Sequence, residues 1–167
     1  YKEHYSTHLF CDNWEQSAQG CAPIDELLKY KTVVWFTGDE DETLTTVEQQ
    51  LITQFLEFGG RVLLTGQNIG YDLLENGSPE DSLFFTTTLH AQYLENNSND
   101  FMINGVEDIA ETNGMSCWLI NAFGGAGNQT SPDVIIPIEP AESIFTYSTT
   151  GSCAGLRYEN PANHARL

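Results

Sequence analysis

The chain is predicted to be an α/β domain built on parallel strands, and residues 32–70 carry most of that prediction. Val33, Val34, Trp35 and Phe36 form a β-branched and aromatic run ending at Gly38, and Val62, Leu63 and Leu64 form a second run ending at Gly66. Continuous apolar runs of strand length are expected where a strand is covered on both faces, as parallel strands are. Between the runs, Thr45-Thr-Val-Glu48 has the spacing of a capping box. Val47, Leu51, Phe55 and Phe58, with Ile52 and Leu56, make an apolar helical stripe, and Gly59-Gly60 supplies a left-handed stop. Strand, helix and strand in that order predict a right-handed βαβ crossover.

The remaining elements are weaker. Tyr1 to Leu9 reads as a short amphipathic helix and Phe10 to Glu15 as a strand, followed by a polar loop between Cys11 and Cys21. Pro23 to Tyr30 reads as a helix, with proline near its first turn and acids ahead of Lys29. Tyr71 to Glu75 reads as a short helix broken by Asn76-Gly-Ser-Pro79, and Ser82 to Leu94 as a helix near helical period. The second half is β-rich. Phe101 to Ile103, Cys117 to Ile120, Asp133 to Ile136, Ser143 to Tyr147 and Ala154 to Tyr158 read as strands separated by Gly, Pro and Asn loops. No repeat or linker divides residues 1–167, so one domain is expected.

Composition excludes some functions. Twenty-four Asp and Glu against six Lys and Arg give a net charge of −18, a field that repels phosphate backbones and argues against nucleic-acid binding. The longest apolar runs are of strand length, so membrane insertion is not expected. Tyr1 is not a natural translation start, and the chain is expected to be an excerpt or mature fragment. Four cysteines, Cys11, Cys21, Cys117 and Cys153, show no zinc spacing. Two disulfides, Cys11–Cys21 and Cys117–Cys153, are the simplest pairing and would suit an oxidising, extracellular setting, with buried free thiols as the alternative.

The run from Tyr30 to Tyr71, with TLHAQYLENNSNDF, GGAGNQTSPDVIIP and CAGLRYEN, resembles the class I glutamine-amidotransferase-like domain of secreted bacterial multidomain proteins. The resemblance implies a three-layer flavodoxin-like, or Rossmann-like, fold with a mostly parallel sheet, whose first and last family strands are missing here. It also implies that the partners are other domains of the same polypeptide or neighbouring subunits. In catalytic members a Cys sits on a glycine-flanked strand-to-helix turn. The matching turn, Thr65 to Gly70, has Gly66 or Gln67 at that place and keeps only Thr65 as a hydroxyl, which reads as a packed strand-end residue. The late His-x-acid pair is absent, since His164 is followed by Ala165-Arg166. His90 reads as a structural histidine on a helix. The expectation is a non-catalytic binding or structural module, with a hydrolase or amidase, or a packing subunit of a surface assembly, as rivals.

In open α/β sheets ligands bind beyond the carboxyl ends of the strands. That edge should gather Asp39 and Asp41 of the acidic loop with Gln67, Asn68, Tyr71 and Asp72. Their carboxylate and amide oxygens suit a hard cation such as calcium, with Asp39 and Asp41 as its ligands; a solvated acidic loop is the alternative.

Overall fold

The structure is a computed structural model that describes Trp14 and residues 19–121 and 127–167. The helix and strand expected before Glu15, and Cys11, lie outside the described residues. Helix α1 (Ile24–Leu27) leads into β1 (Thr32–Gly38), α2 (Thr46–Glu57) and β2 (Arg61–Gly66). A π-helical turn (Tyr71–Asn76) and α3 (Pro79–Thr87) follow, and then β3 (Ala91–Glu95), β4 (Met102–Gly105), β5 (Ser116–Trp118), β6 (Val134–Pro137), β7 (Glu142–Tyr147) and β8 (Cys153–Arg157).

The βαβ unit forms as its local signals predict. β1 and β2 pair in parallel from Thr32↔Arg61 to Gly38↔Gly66. Thr45 caps α2 by accepting from the Glu48 N–H, while the Glu48 carboxylate accepts from the Thr45 N–H at 2.6 Å. The helix stops where Gly59, at φ +81°, adopts the left-handed conformation, and the Gly60 N–H donates to Phe55 O while that of Gly59 donates to Leu56 O. The core lies between α2 and this small sheet, where Ile52, Phe55 and Val62 pack with Leu73, Phe84, Phe85 and Leu89, and Val33, Trp35 and Leu64 reach in from the strands.

The rest of the architecture corrects the expected fold class. Among the described residues, β1 and β2 form a sheet of their own, and β3 to β8 form a six-stranded sheet in the order β3-β6-β8-β7-β4-β5 in which every pairing is antiparallel. A parallel connection needs a crossover of a dozen or more residues, usually helical. The described connections after Ala91 carry no helix, and the turn from Tyr147 to Cys153 is a hairpin. The fold is therefore not a three-layer, mostly parallel flavodoxin-like one. The expected burial of both faces of these strands is also not met among the described residues, where Val34, Phe36 and Leu63 on the outer face are exposed.

Two further readings change. The helical period expected to run to Leu94 ends at Thr87, because His90 adopts φ +52° and the chain leaves as strand β3. The C-terminal residues return to the small sheet. Val62 N–H donates to Arg166 O, Arg166 N–H donates to Gly60 O, and Arg61 and Arg166 are bridged in parallel, so residues 165–167 lie along the free edge of β2. Strand alternation then puts Ala165 and Leu167 on the core side and Arg166 on the outer side.

Candidate functional site

The carboxyl edge of β1 and β2 brings Asp41, Gln67, Asn68, Tyr71 and Asp72 into one neighbourhood, but the side chains of Asp41, Gln67, Asn68 and Asp72 are engaged with the chain itself. Gln67 and Asn68, each 4% exposed, follow β2 directly. Gln67 Oε1 accepts from the backbone N–H of Thr130 at 2.6 Å and of Ser131 at 3.1 Å, and Gln67 O accepts from Asp133 N–H at 3.0 Å. Asn68 Nδ2 donates to Glu40 O at 3.2 Å and to Asp41 Oδ1 at 3.3 Å, while its Oδ1 accepts from Ser131 Oγ at 3.0 Å. Asp72 Oδ2 accepts from the N–H and the hydroxyl of Thr43, both at 2.7 Å. Tyr71 gives its N–H to Asp133 Oδ2 at 3.1 Å. This edge is a seam that ties the small sheet to the segment entering β6.

Asp133, Thr130, Ser131 and Thr43 were not singled out by sequence. Asp133 stands immediately before the apolar run Val134 to Ile136, and an acid at the mouth of a buried strand is the signal that could have found it. Its Oδ2 accepts from Gly70 N–H at 2.7 Å as well as from Tyr71, whereas Oδ1 is buried without a partner. Burial pushes its carboxyl up to about 7, and the two backbone donors only partly offset that.

The chemistry available at the seam is limited. Thr65 is exposed rather than packed, and no base contacts it among the described hydrogen bonds. Asp39 and Asp41 are exposed, and among the described residues no three His, Cys, Asp or Glu side chains converge as a cation-ligand set. His90 lies in the turn after α3, not on a helix. Its ring stacks on Tyr158 with centroids 3.7 Å apart at 36°, and burial lowers its pKa. His90 and Tyr158 help to line an open cleft of about 430 Å³ with Thr53, Glu57 and Asn163.

Cys21, Cys117 and Cys153 all carry free thiols. Cys117 lies on β5 and Cys153 on β8, with β4 and β7 between them. Three strand spacings separate their Cα atoms by roughly 14 Å, well beyond the limit of about 7 Å for a disulfide. The predicted Cys117–Cys153 bridge is thereby corrected, and the compartment argument built on two disulfides loses its support. Burial also raises the thiol pKa of Cys153, the opposite of an activated nucleophile.

No family model matches the chain, and no curated protein matches it either. Among solved structures it is similar to an mmIFT52 N-terminal domain, with 11% identity over 87% of this chain and 68% of that one, at a TM-score of 0.52. That likeness concerns the fold. It overturns the resemblance to secreted glutamine-amidotransferase-like domains, in agreement with the antiparallel main sheet and the free thiols. Among the described residues, no helix is long and apolar enough to cross a membrane.

Proposed function

We propose that this domain is a non-catalytic module that holds a polypeptide partner, either another part of a larger protein or a neighbouring subunit. The observation that carries the reading is the outer face of the small sheet. Val34, Phe36 and Leu63 are 38%, 54% and 55% exposed there, although faces of parallel strands are normally covered. The polar residues at the strand ends support the same reading from the other side, since Gln67, Asn68 and Asp72 spend their hydrogen bonds on the fold. The mmIFT52 structure is itself one domain of a longer protein, in keeping with a modular role.

The test is a photo-cross-linking residue placed at Leu63 in the full natural polypeptide, with Leu83 of α3, also exposed, as control. A discrete polypeptide adduct is expected from position 63, absent from position 83, and lost when Val34→Asp is added. Equal labelling from both positions, or none from 63, would remove the reading.

A further inference from the structure

The chain contains three Asn-Gly pairs, Asn76-Gly77, Asn104-Gly105 and Asn113-Gly114, and each holds the groups for one intramolecular reaction. The backbone nitrogen of the glycine attacks Cγ of the asparagine side chain, forming an N–Cγ bond as the Cγ–Nδ2 bond breaks, and the nitrogen's proton leaves with the amide group as ammonia. Water then opens the cyclic imide at either carbonyl, leaving aspartate or, with the main chain rerouted through Cγ, isoaspartate. Glycine favours the attack because no Cβ shields its nitrogen and its backbone turns freely. In sequence the three pairs are equivalent, so the fold decides between them.

Two of the pairs are held. Asn104 lies on β4, where its Oδ1 accepts from Ser116 Oγ at 2.8 Å and the Gly105 N–H donates to Met115 O at 2.9 Å. A Cβ on Gly105 would lie 1.7 Å from Thr112 O, so backbone crowds this glycine, and the β4–β5 ladder must open before the imide ring can close. Asn76 ends the π-helical turn, and a Cβ on Gly77 would lie 2.2 Å from Leu73 O. One residue further on, the Ser78 N–H donates to Asp81 Oδ2 at 2.7 Å in the cap of α3. Swinging the peptide between residues 76 and 77 into the ring would disturb both contacts.

Asn113-Gly114 is free of such constraints. Both residues are exposed in the connection from β4 to β5, and among the described residues neither the Asn113 side-chain amide nor the Gly114 N–H makes a hydrogen bond. Gly114 adopts φ +76°, and a Cβ there would meet nothing within 4 Å. The loop is pinned on either side of the reacting peptide, since the Asn113 N–H donates to Ile109 O at 2.8 Å and the Met115 N–H to Thr112 O at 2.9 Å. We propose that Asn113 is a site of spontaneous modification, the one Asn-Gly pair of the three that deamidates readily in the folded protein, with water as the only co-reactant. Isoaspartate there lengthens the main chain between Thr112 and Met115 and adds a carboxylate two residues from Glu111, which pairs with Arg157 at 2.7 Å. This holds whether or not the domain has a partner.

The test is to age the purified chain for weeks at mildly alkaline pH, once folded and once in concentrated urea, and to follow each Asn-Gly peptide by mass spectrometry with fragmentation that separates isoaspartate from aspartate. In the folded chain Asn113 should convert about tenfold faster than Asn104, whose ladder hydrogen bonds must first be broken, and faster than Asn76. In urea the three rates should converge, which assigns the difference to the fold and not to neighbouring residues. Asn113→Gln, whose longer side chain closes a ring far more slowly, should remove most of the acidic species that ageing produces and leave the melting temperature unchanged, since the side chain is exposed. Asn104 or Asn76 converting as fast as Asn113 in the folded chain would overturn the proposal. So would an Asn113 that stays intact when folded while the unfolded chain reacts there, or acidic species that accumulate undiminished in Asn113→Gln.

Discussion

Asp133 Oδ2 accepts the backbone N–H of Gly70 at 2.7 Å, so a carboxylate from the mouth of β6 closes the turn after β2. No room is left for a larger residue at that turn. A Cβ on Gly70 would lie 2.6 Å from the Tyr93 ring and 3.1 Å from Asp133 Oδ2. A contact 63 positions apart in sequence thus positions the π-helical turn that begins at Tyr71.

This carboxyl group should make stability depend on pH. Its folded pKa, near 7, lies above the ordinary carboxylate value, so between about pH 4 and 7 the folded state binds the proton more tightly than the unfolded state does. Its contribution is then fullest in acid and is lost as pH rises through 7. Asp133→Asn keeps an oxygen for both donors and removes the titration. Urea melts from pH 5 to 8 should show the parent losing stability, on the order of 1–3 kcal/mol, relative to the asparagine variant; parallel curves would refute the assignment.

Gln67 should be a structural residue, and its removal should be read in stability. Gln67→Ala removes the acceptor of the Thr130 and Ser131 N–H groups, and because Thr130 is exposed and Ser131 half-buried the loss should be on the order of 1–3 kcal/mol. Gln67→Glu keeps the acceptor and should cost less. A melting temperature unchanged in the alanine variant would show that this seam is not what joins the two sheets.

Legibility in the sequence followed the range of the interaction. The Thr45–Glu48 box and the Gly59-Gly60 stop are written within a few residues of where they act, and both formed. The strands of the second half were also visible as apolar runs, but their partners were not. Nothing local tells Cys153 that its neighbours are Ile135 and Thr146 rather than Cys117. The helix expected through Leu94 shows the same limit, because Leu89 and Tyr93 keep helical spacing while the left-handed His90 ends it. At the candidate site the convergence of Asn68 with Asp41 was readable from parallel pairing. That Ser131 would occupy Asn68 Oδ1 was not, since it depends on the return of a segment 63 residues away.

The cysteines should behave as independent thiols. Alkylation of the unfolded chain without reductant should modify Cys21, Cys117 and Cys153, and reductant should leave the melting temperature unchanged. In the folded state Cys153 should react last, because it is buried and its pKa is raised. Recovery of a Cys117–Cys153 peptide pair would contradict the strand order.

Asp100 should work in the opposite pH direction from Asp133. Buried at the start of β4, it accepts from Thr149 N–H at 2.5 Å and Met102 N–H at 3.1 Å, with Ser148 Oγ within 3.5 Å, and so pins the β7–β8 hairpin to the neighbouring strand. Burial alone would raise its pKa, but these donors outweigh it and hold the carboxyl below its usual range. A depressed folded pKa contributes stability above the unfolded pKa, and that stability is lost as pH falls through the folded value. Asp100→Ala should therefore cost roughly 2–3 kcal/mol at neutral pH, and the gap to the parent should narrow below about pH 4, where the carboxyl of the unfolded chain takes up its proton ahead of the folded one. Asp100→Asn, which retains an acceptor without the charge, should fall between them. A gap that stays constant down to pH 2 would mean that Asp100 acts through packing and not through its charge.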